Sequence, residues 1–202
     1  MTELKIDPKI TPPRVILSAI SNAKSLLLNT DGFKANASDN FKSMVYECYQ
    51  LYEKQLHLSQ VVDLDDLLLK VFFMLKSNNS ILKTYQNRFE HLMIDEFQDT
   101  NSPQFELISF LAGGHKNITV VGDDDQSIYG WRGANIDNIL TNFKDTFPKA
   151  VEIKLEKNYR STQRILDGAW SVVSNNANRA EKKLVATKGQ GERISLIPTG
   201  ND

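Results

Sequence analysis

The chain has 202 residues, of which 41% are hydrophobic and 24% charged, with a formal net charge of −1. That is ordinary globular material for one large or two small domains, and the balanced charge excludes a globally basic surface, so any nucleic-acid site must be local. One cysteine, Cys48, excludes an internal disulfide and fits a reducing cytoplasm; there is no apolar run of about 18 residues, no leader pattern, and three scattered histidines give no zinc-ligand spacing.

Residues 1–13 are polar and end in Pro12-Pro13, an extended entry. Val15, Ile16, Ala19, Ile20, Ala23, Leu26 and Leu27 predict a helix over 14–29, and the small polar residues of 30–38 predict a loop. Phe41, Met44, Val45, Cys48, Leu51, Tyr52 and Leu56 form one face of a long helix over 39–58, with Cys48 buried in that stripe. A helix capped by Asp63 follows over 63–77, then a shorter one over 80–90.

Near residue 91 helices give way to alternation. The apolar Leu92-Met93-Ile94 predicts a strand over 91–95 buried on both faces, as in a parallel sheet. A helix opens near Pro103 and stops at Gly113-Gly114, and Ile118-Thr119-Val120-Val121 is a second strand. A helix over 136–147, a third strand over 151–155 and a helix over 162–175 complete the pattern of a parallel α/β sheet. The tail from 176 offers one further strand, over 193–197.

Three strands run into polar clusters. Asp95 and Glu96 follow the first, where open parallel sheets bind ligands. Successive strand residues face opposite ways, so one acid can hold hydrated Mg²⁺ and the other polarise a water; strand-end capping and solvation is the alternative. After the second strand, Gln126 is suited to sense a phosphate, and Tyr129 and Trp131, between glycines and beside Arg132, are suited to stack on unpaired bases; the alternative is that both rings are core under a loop. After the third, Arg160 offers a planar donor fork for phosphate and Tyr159 a face for adenine, against a reading as a helix N-cap by Ser161 or Thr162.

In this order and spacing the clusters resemble the UvrD/Rep-type superfamily 1 DNA helicases. Ile94-Asp95-Glu96-Phe97-Gln98-Asp99-Thr100-Asn101 is similar to their motif II, the run from Val121 to Ala134 to motif III, and Leu155-Glu156-Lys157-Asn158-Tyr159-Arg160-Ser161-Thr162 to motif IV. The resemblance is near-literal over 91–165 and looser upstream, where Leu64 stands at a position more often phenylalanine. It implies ATP and Mg²⁺ as cofactors, with Asp95 on the metal, Glu96 activating water, Gln126 sensing the γ-phosphate, Arg160 as arginine finger and Tyr159 on adenine. It further implies that Tyr129, Trp131 and, more loosely, Arg132 meet single-stranded DNA near duplex junctions. It implies a fold of α/β class, with a partial RecA-like P-loop NTPase lobe over 91–157, preceded by a helical insertion subdomain over 1–90 and followed by the start of a second lobe over 158–202.

No Gly-x-x-x-x-Gly-Lys-[Ser/Thr] occurs in the sequence. That motif supplies backbone donors and a lysine to the phosphates, so the expectation is an internal piece of a motor that needs its missing helicase segments for turnover. Two alternatives stand beside it: a non-catalytic DNA- or protein-binding remnant, and a metal-dependent nuclease built on Asp95, Glu96, Asp99 and Asp123. The nuclease leaves Gln126, Trp131 and Arg160 without work.

Overall fold

The structure is a computed structural model that describes residues 3, 4, 6–36, 38–195 and 197. It divides into two compact units, residues 1–123 with 127–139, and residues 124–126 with 140–202.

In the first unit, α1 (Pro13–Ser25) opens on a proline, which a first helical turn tolerates. The predicted loop after it contains a short helix, α2 (Thr30–Ala35). The Asn29 side chain accepts the Gly32 N–H at 2.9 Å, and Phe33 sets its ring edge-on to Tyr49 at 6.2 Å, so a cap and one aromatic contact outweigh the glycine and polar residues. Asp39 caps α3 (Asn40–Leu58) through the Lys42 N–H. Ile16, Ile20 and Ala23 of α1 pack on Val45, Cys48 and Tyr49 of α3 as the core, and burial raises the Cys48 thiol pKa. The next helix, α4 (Asp66–Ser77), starts three residues later than expected, although Asp63 does accept the Asp66 N–H at 2.8 Å. Asn78 caps α5 (Asn79–Arg88).

A buried lysine ties three of these helices together. Lys24 Nζ, its side chain wholly out of water, lies 2.7 Å from Glu53, 2.7 Å from Asp63 and 2.8 Å from Asp66. Burial by itself pulls an ammonium pKa down, but the three carboxylates together outweigh it and hold Lys24 above its ordinary value.

Strand β1 (Leu92–Ile94) pairs in parallel with β2 (Ile118–Val120), Leu92 opposite Ile118 and Ile94 opposite Val120. The crossover is α6 (Ser102–Ala112), opened by a reciprocal cap between Asn101 and Gln104 and packed by Phe110 on Phe72 of α4. The expected two-sided burial of β1 is not found: Met93 is 77% exposed, while Leu92 and Ile94 are half-buried. Among the described residues β1 has one neighbouring strand, β2, in a two-stranded sheet.

The predicted helix over 136–147 is a π-helical turn (Asn138–Asn142) continued by α7 (Phe143–Thr146). In the second unit the strand predicted over 151–155 has no ladder, and Val151, Ile153 and Leu155 are exposed. The pairing lies just beyond it, where β3 (Lys157–Asn158) runs parallel to β4 (Val185–Ala186) around α8 (Gln163–Val173). Alternating residues make a strand competent, but a partner decides where the ladder forms. Residues 193–195 and 197 form no strand, and residue 196 of that predicted element lies outside the described residues. Among the described residues no helix is long and apolar enough to cross a membrane.

Candidate functional site

At the carboxyl end of β1 the chain makes a sharp departure. Glu96 has φ 50° and ψ 43°, left-handed space that residues other than glycine rarely use. Two bonds hold it there: the Glu96 N–H donates to Asp95 Oδ1 at 3.0 Å, and the Phe97 N–H donates to the Val121 carbonyl at 2.9 Å. A tight turn (Phe97–Asp99) follows, with Phe97 and Gln98 buried. The Gln98 amide donates to Glu96 Oε2 at 2.8 Å and accepts from the Asp123 N–H at 3.0 Å. Asp95, Glu96 and Asp99 line a pocket of about 320 Å³ with Ile94, Thr100, Gln104, Leu107 and Ile108. Asp99 Oδ1 is buried in the structure with no hydrogen-bond partner. A concave lining of carboxylate and hydroxyl oxygens suits a hard divalent cation that keeps several of its waters.

The aromatic loop belongs to the same unit. Trp131 is 76% exposed and Tyr129 partly so, their centroids 6.5 Å apart, which excludes the reading of both as core. The Arg132 guanidinium lies 4.6 Å from the Trp131 ring and 5.4 Å from that of Tyr129. The turn closes at Gly133, whose φ of 87° favours glycine. Its foot is fixed: Ala134 bridges to Asn101, the Asn135 N–H donates to the Thr100 carbonyl, and buried Asn138 donates to the Thr100 carbonyl and hydroxyl at 3.0 and 3.1 Å. The exposed rings therefore stand on the segment that directly follows Asp99.

In the second unit, Asp124–Gln126 is one tight turn with Gln126 exposed. Arg179 grips Asp125 with two bonds, 3.0 and 2.7 Å, the Ala180 N–H donates to Asp124 at 2.7 Å, and Lys182 bonds Asp124 and lies 3.3 Å from Asp125. The Arg179 fork, aided by Lys182, holds the Asp125 carboxyl below its ordinary pKa. Tyr159 is 69% exposed and Arg160 is exposed beside it. The Asn158 side chain accepts both the Arg160 and Ser161 N–H groups, at 3.0 and 2.8 Å, a local turn that presents both residues. Thr162 takes the N-cap position of α8 without a side-chain bond. The Gly189 and Gln190 carbonyls accept the first helical N–H groups instead.

Of the predicted residues, the structure brings together Asp95 with Glu96, then Tyr129, Trp131 and Arg132, and separately Tyr159 with Arg160; Gln126 stands in the second unit. Sequence reading passed over Gln98, Asn138, Arg179 and Lys182. Gln98 carries no local signal, because its partner at the Asp123 backbone lies 25 residues away. The other three carry none, because their partners lie 37 to 58 residues away.

Residues 1–148 match the model of the UvrD/REP helicase N-terminal domain, and residues 153–202 that of the UvrD-like helicase C-terminal domain. The chain is similar to proteins named ATP-dependent DNA helicase PcrA. It is 45% identical to that of Leuconostoc citreum over 195 residues, 96% of this chain and 26% of the relative. It is 43% identical to that of Staphylococcus aureus strain Mu50 over 189 residues, 94% of this chain and again 26% of the relative. The chain thus spans about a quarter of the length of the curated relatives it matches. An acidic pair ending a parallel strand, an exposed aromatic turn anchored just behind it, and a family match over the greater part of the sequence agree: the chain belongs to the UvrD/Rep helicase family.

Proposed function

We propose that the chain is part of a motor that couples Mg·ATP hydrolysis to movement on single-stranded DNA and to duplex unwinding, in repair or replication. The observation that carries this reading is the pocket at the end of β1, where Asp95, Glu96 and Asp99 converge beside a parallel neighbour. Mg²⁺, when bound, would neutralise charge on the phosphates, and Asp95, with Asp99 beside it in the pocket lining, would hold it. Glu96 takes a proton from the attacking water. In the complete motor Gln126 would sense the γ-phosphate, Arg160 would offer its donor fork to the charge that develops there, and Tyr159 would give its face to the adenine. Tyr129 and Trp131 stack on bases, with Arg132 adding a third planar surface. Residues 91–157 then correspond to a portion of a RecA-like lobe, 1–90 to its helical insertion and 158–202 to the opening of the second lobe.

A non-catalytic binding role is the second reading, favoured by the absence of a Gly-x-x-x-x-Gly-Lys-[Ser/Thr] from this sequence. The test is ATP hydrolysis by the 202-residue chain with Mg²⁺, with and without single-stranded DNA, against Glu96→Gln. The expected result is no turnover above that control, with phosphate binding left to a P-loop on another segment. DNA-stimulated turnover that Glu96→Gln abolishes overturns the need for that segment. In a complete motor Glu96→Gln is expected to abolish hydrolysis and keep nucleotide binding; unchanged turnover removes Glu96 from its role.

A further inference from the structure

Gln98 is only 1% exposed, yet its amide is engaged at both ends. Those ends differ chemically: the oxygen only accepts and the nitrogen only donates. The Asp123 backbone N–H only donates, so it requires the oxygen of Gln98. That fixes the amide orientation and turns Nε2 toward the Glu96 carboxylate. A flipped amide would oppose two donors at Asp123 and two acceptors at Glu96. We propose that Gln98 is a positioning residue, which couples the aim of the Glu96 carboxylate to the backbone at Gly122 and Asp123; this rests on the reading of Glu96 as the group that activates water.

Three further observations fit this coupling. A Cβ on Gly122 would fall 2.6 Å from Gln98 Oε1, 2.8 Å from Ile139 Cδ1 and 3.2 Å from the Phe97 nitrogen, so glycine is what lets the loop backbone press on the amide. The Ser127 hydroxyl donates to the Gln98 carbonyl at 3.3 Å, gripping the same residue from the far side of the turn. The Glu96 backbone is already held in its left-handed conformation, so its remaining freedom is in the side chain, and Gln98 restrains one carboxylate oxygen and leaves the other for a water. Being buried, Gln98 has no water to replace a lost partner. A shift of the Asp123 amide is therefore passed to Glu96 through one rigid planar group.

The test compares Gln98→Glu, Gln98→Met and Gly122→Ala. Gln98→Glu keeps the size and still accepts from Asp123, but has no hydrogen to give to ionised Glu96. In the complete motor it is expected to lower kcat for ATP about 10- to 100-fold with KM within about twofold, the signature of a misplaced reacting group. Gln98→Met loses both bonds. In the 202-residue chain it is expected to speed exchange of the Asp123 amide about tenfold or more, while Gln98→Glu retains its protection. Gly122→Ala is expected to follow Gln98→Glu in kcat. A thermal midpoint for each variant separates loss of fold from loss of aim. The coupling is overturned when Gln98→Glu turns over within about twofold of the parent while Glu96→Gln is inactive. Turnover by Glu96→Gln at the parental rate overturns instead the reading of Glu96 on which the coupling rests.

Discussion

Trp131 and Arg132 show at the scale of single residues how exposure separates one role from another. A tryptophan ring held 76% in water gives up burial free energy that a core position would have supplied, and under the proposed function a stacked base would recover it. Trp131→Ala is expected to weaken binding of single-stranded DNA by about 1–3 kcal/mol, as measured by titration at fixed salt. Unchanged affinity removes the ring from the DNA site. At this scale the sequence was informative where the signal was local. Asp95 and Glu96 stood out because an apolar run ended in two acids, and Tyr129 and Trp131 because glycines flanked them. Gln98 did not, since its meaning comes from the Asp123 amide, 25 residues further on.

Among elements, the packing of α1, α3 and α4 depends on one buried ammonium. Lys24→Met keeps the apolar stem and leaves Glu53, Asp63 and Asp66 facing one another with Lys70 at the margin. The expected cost is about 3–5 kcal/mol in denaturant unfolding, because uncompensated carboxylates remain in a partly dry site. A second change, Asp66→Asn, is expected to recover part of it, which tests electrostatics against lost packing. The reciprocal cap of α6 sets a smaller scale: Asn101→Ala is expected to cost about 0.5–2 kcal/mol. Helices capped by a neighbouring side chain, such as α3 and α5, were legible because cap and apolar stripe are both local. Ladders were less so. Residues 151–155 alternate as well as any strand, yet the hydrogen bonds form at Lys157 and Asn158, where Val185 and Ala186 supply the partner.

For the molecule as a whole, each unit contains an acid whose ionised form is favoured by folding. Asp63 is pushed up by its burial, but Lys24, the Asp66 N–H and Tyr52 outweigh that and hold its pKa below normal; Asp125 is lowered chiefly by Arg179. A folded pKa below the unfolded value of about 3.9 gives stability that is present above about pH 4 and lost as pH falls through the folded value. Lys24 has the opposite sign: its contribution is complete below about pH 10 and is lost as pH rises through its raised folded value. Unfolding midpoints followed between neutral and acid pH are expected to fall in the parent and to fall less in Asp63→Asn and Asp125→Asn. An identical acid slope in both variants excludes these carboxylates as the cause. The second unit was the harder to foresee, because the turn Asp124–Gln126 belongs with it through Arg179 and Lys182, in a stretch whose composition reads only as a polar tail.

The chain contains two tryptophans, and their surroundings differ. Trp131 faces solvent beside Arg132, whereas Trp170 lies on α8 beneath the Lys183 ammonium, 5.1 Å from its ring centroid. Replacing Trp170 by phenylalanine leaves a single indole, placed on the turn next to the acidic pocket. Its emission is expected at the long-wavelength end of the indole range, and under the proposed function a base covering the ring would quench it, giving an optical gauge of strand occupancy readable in stopped flow without an attached dye.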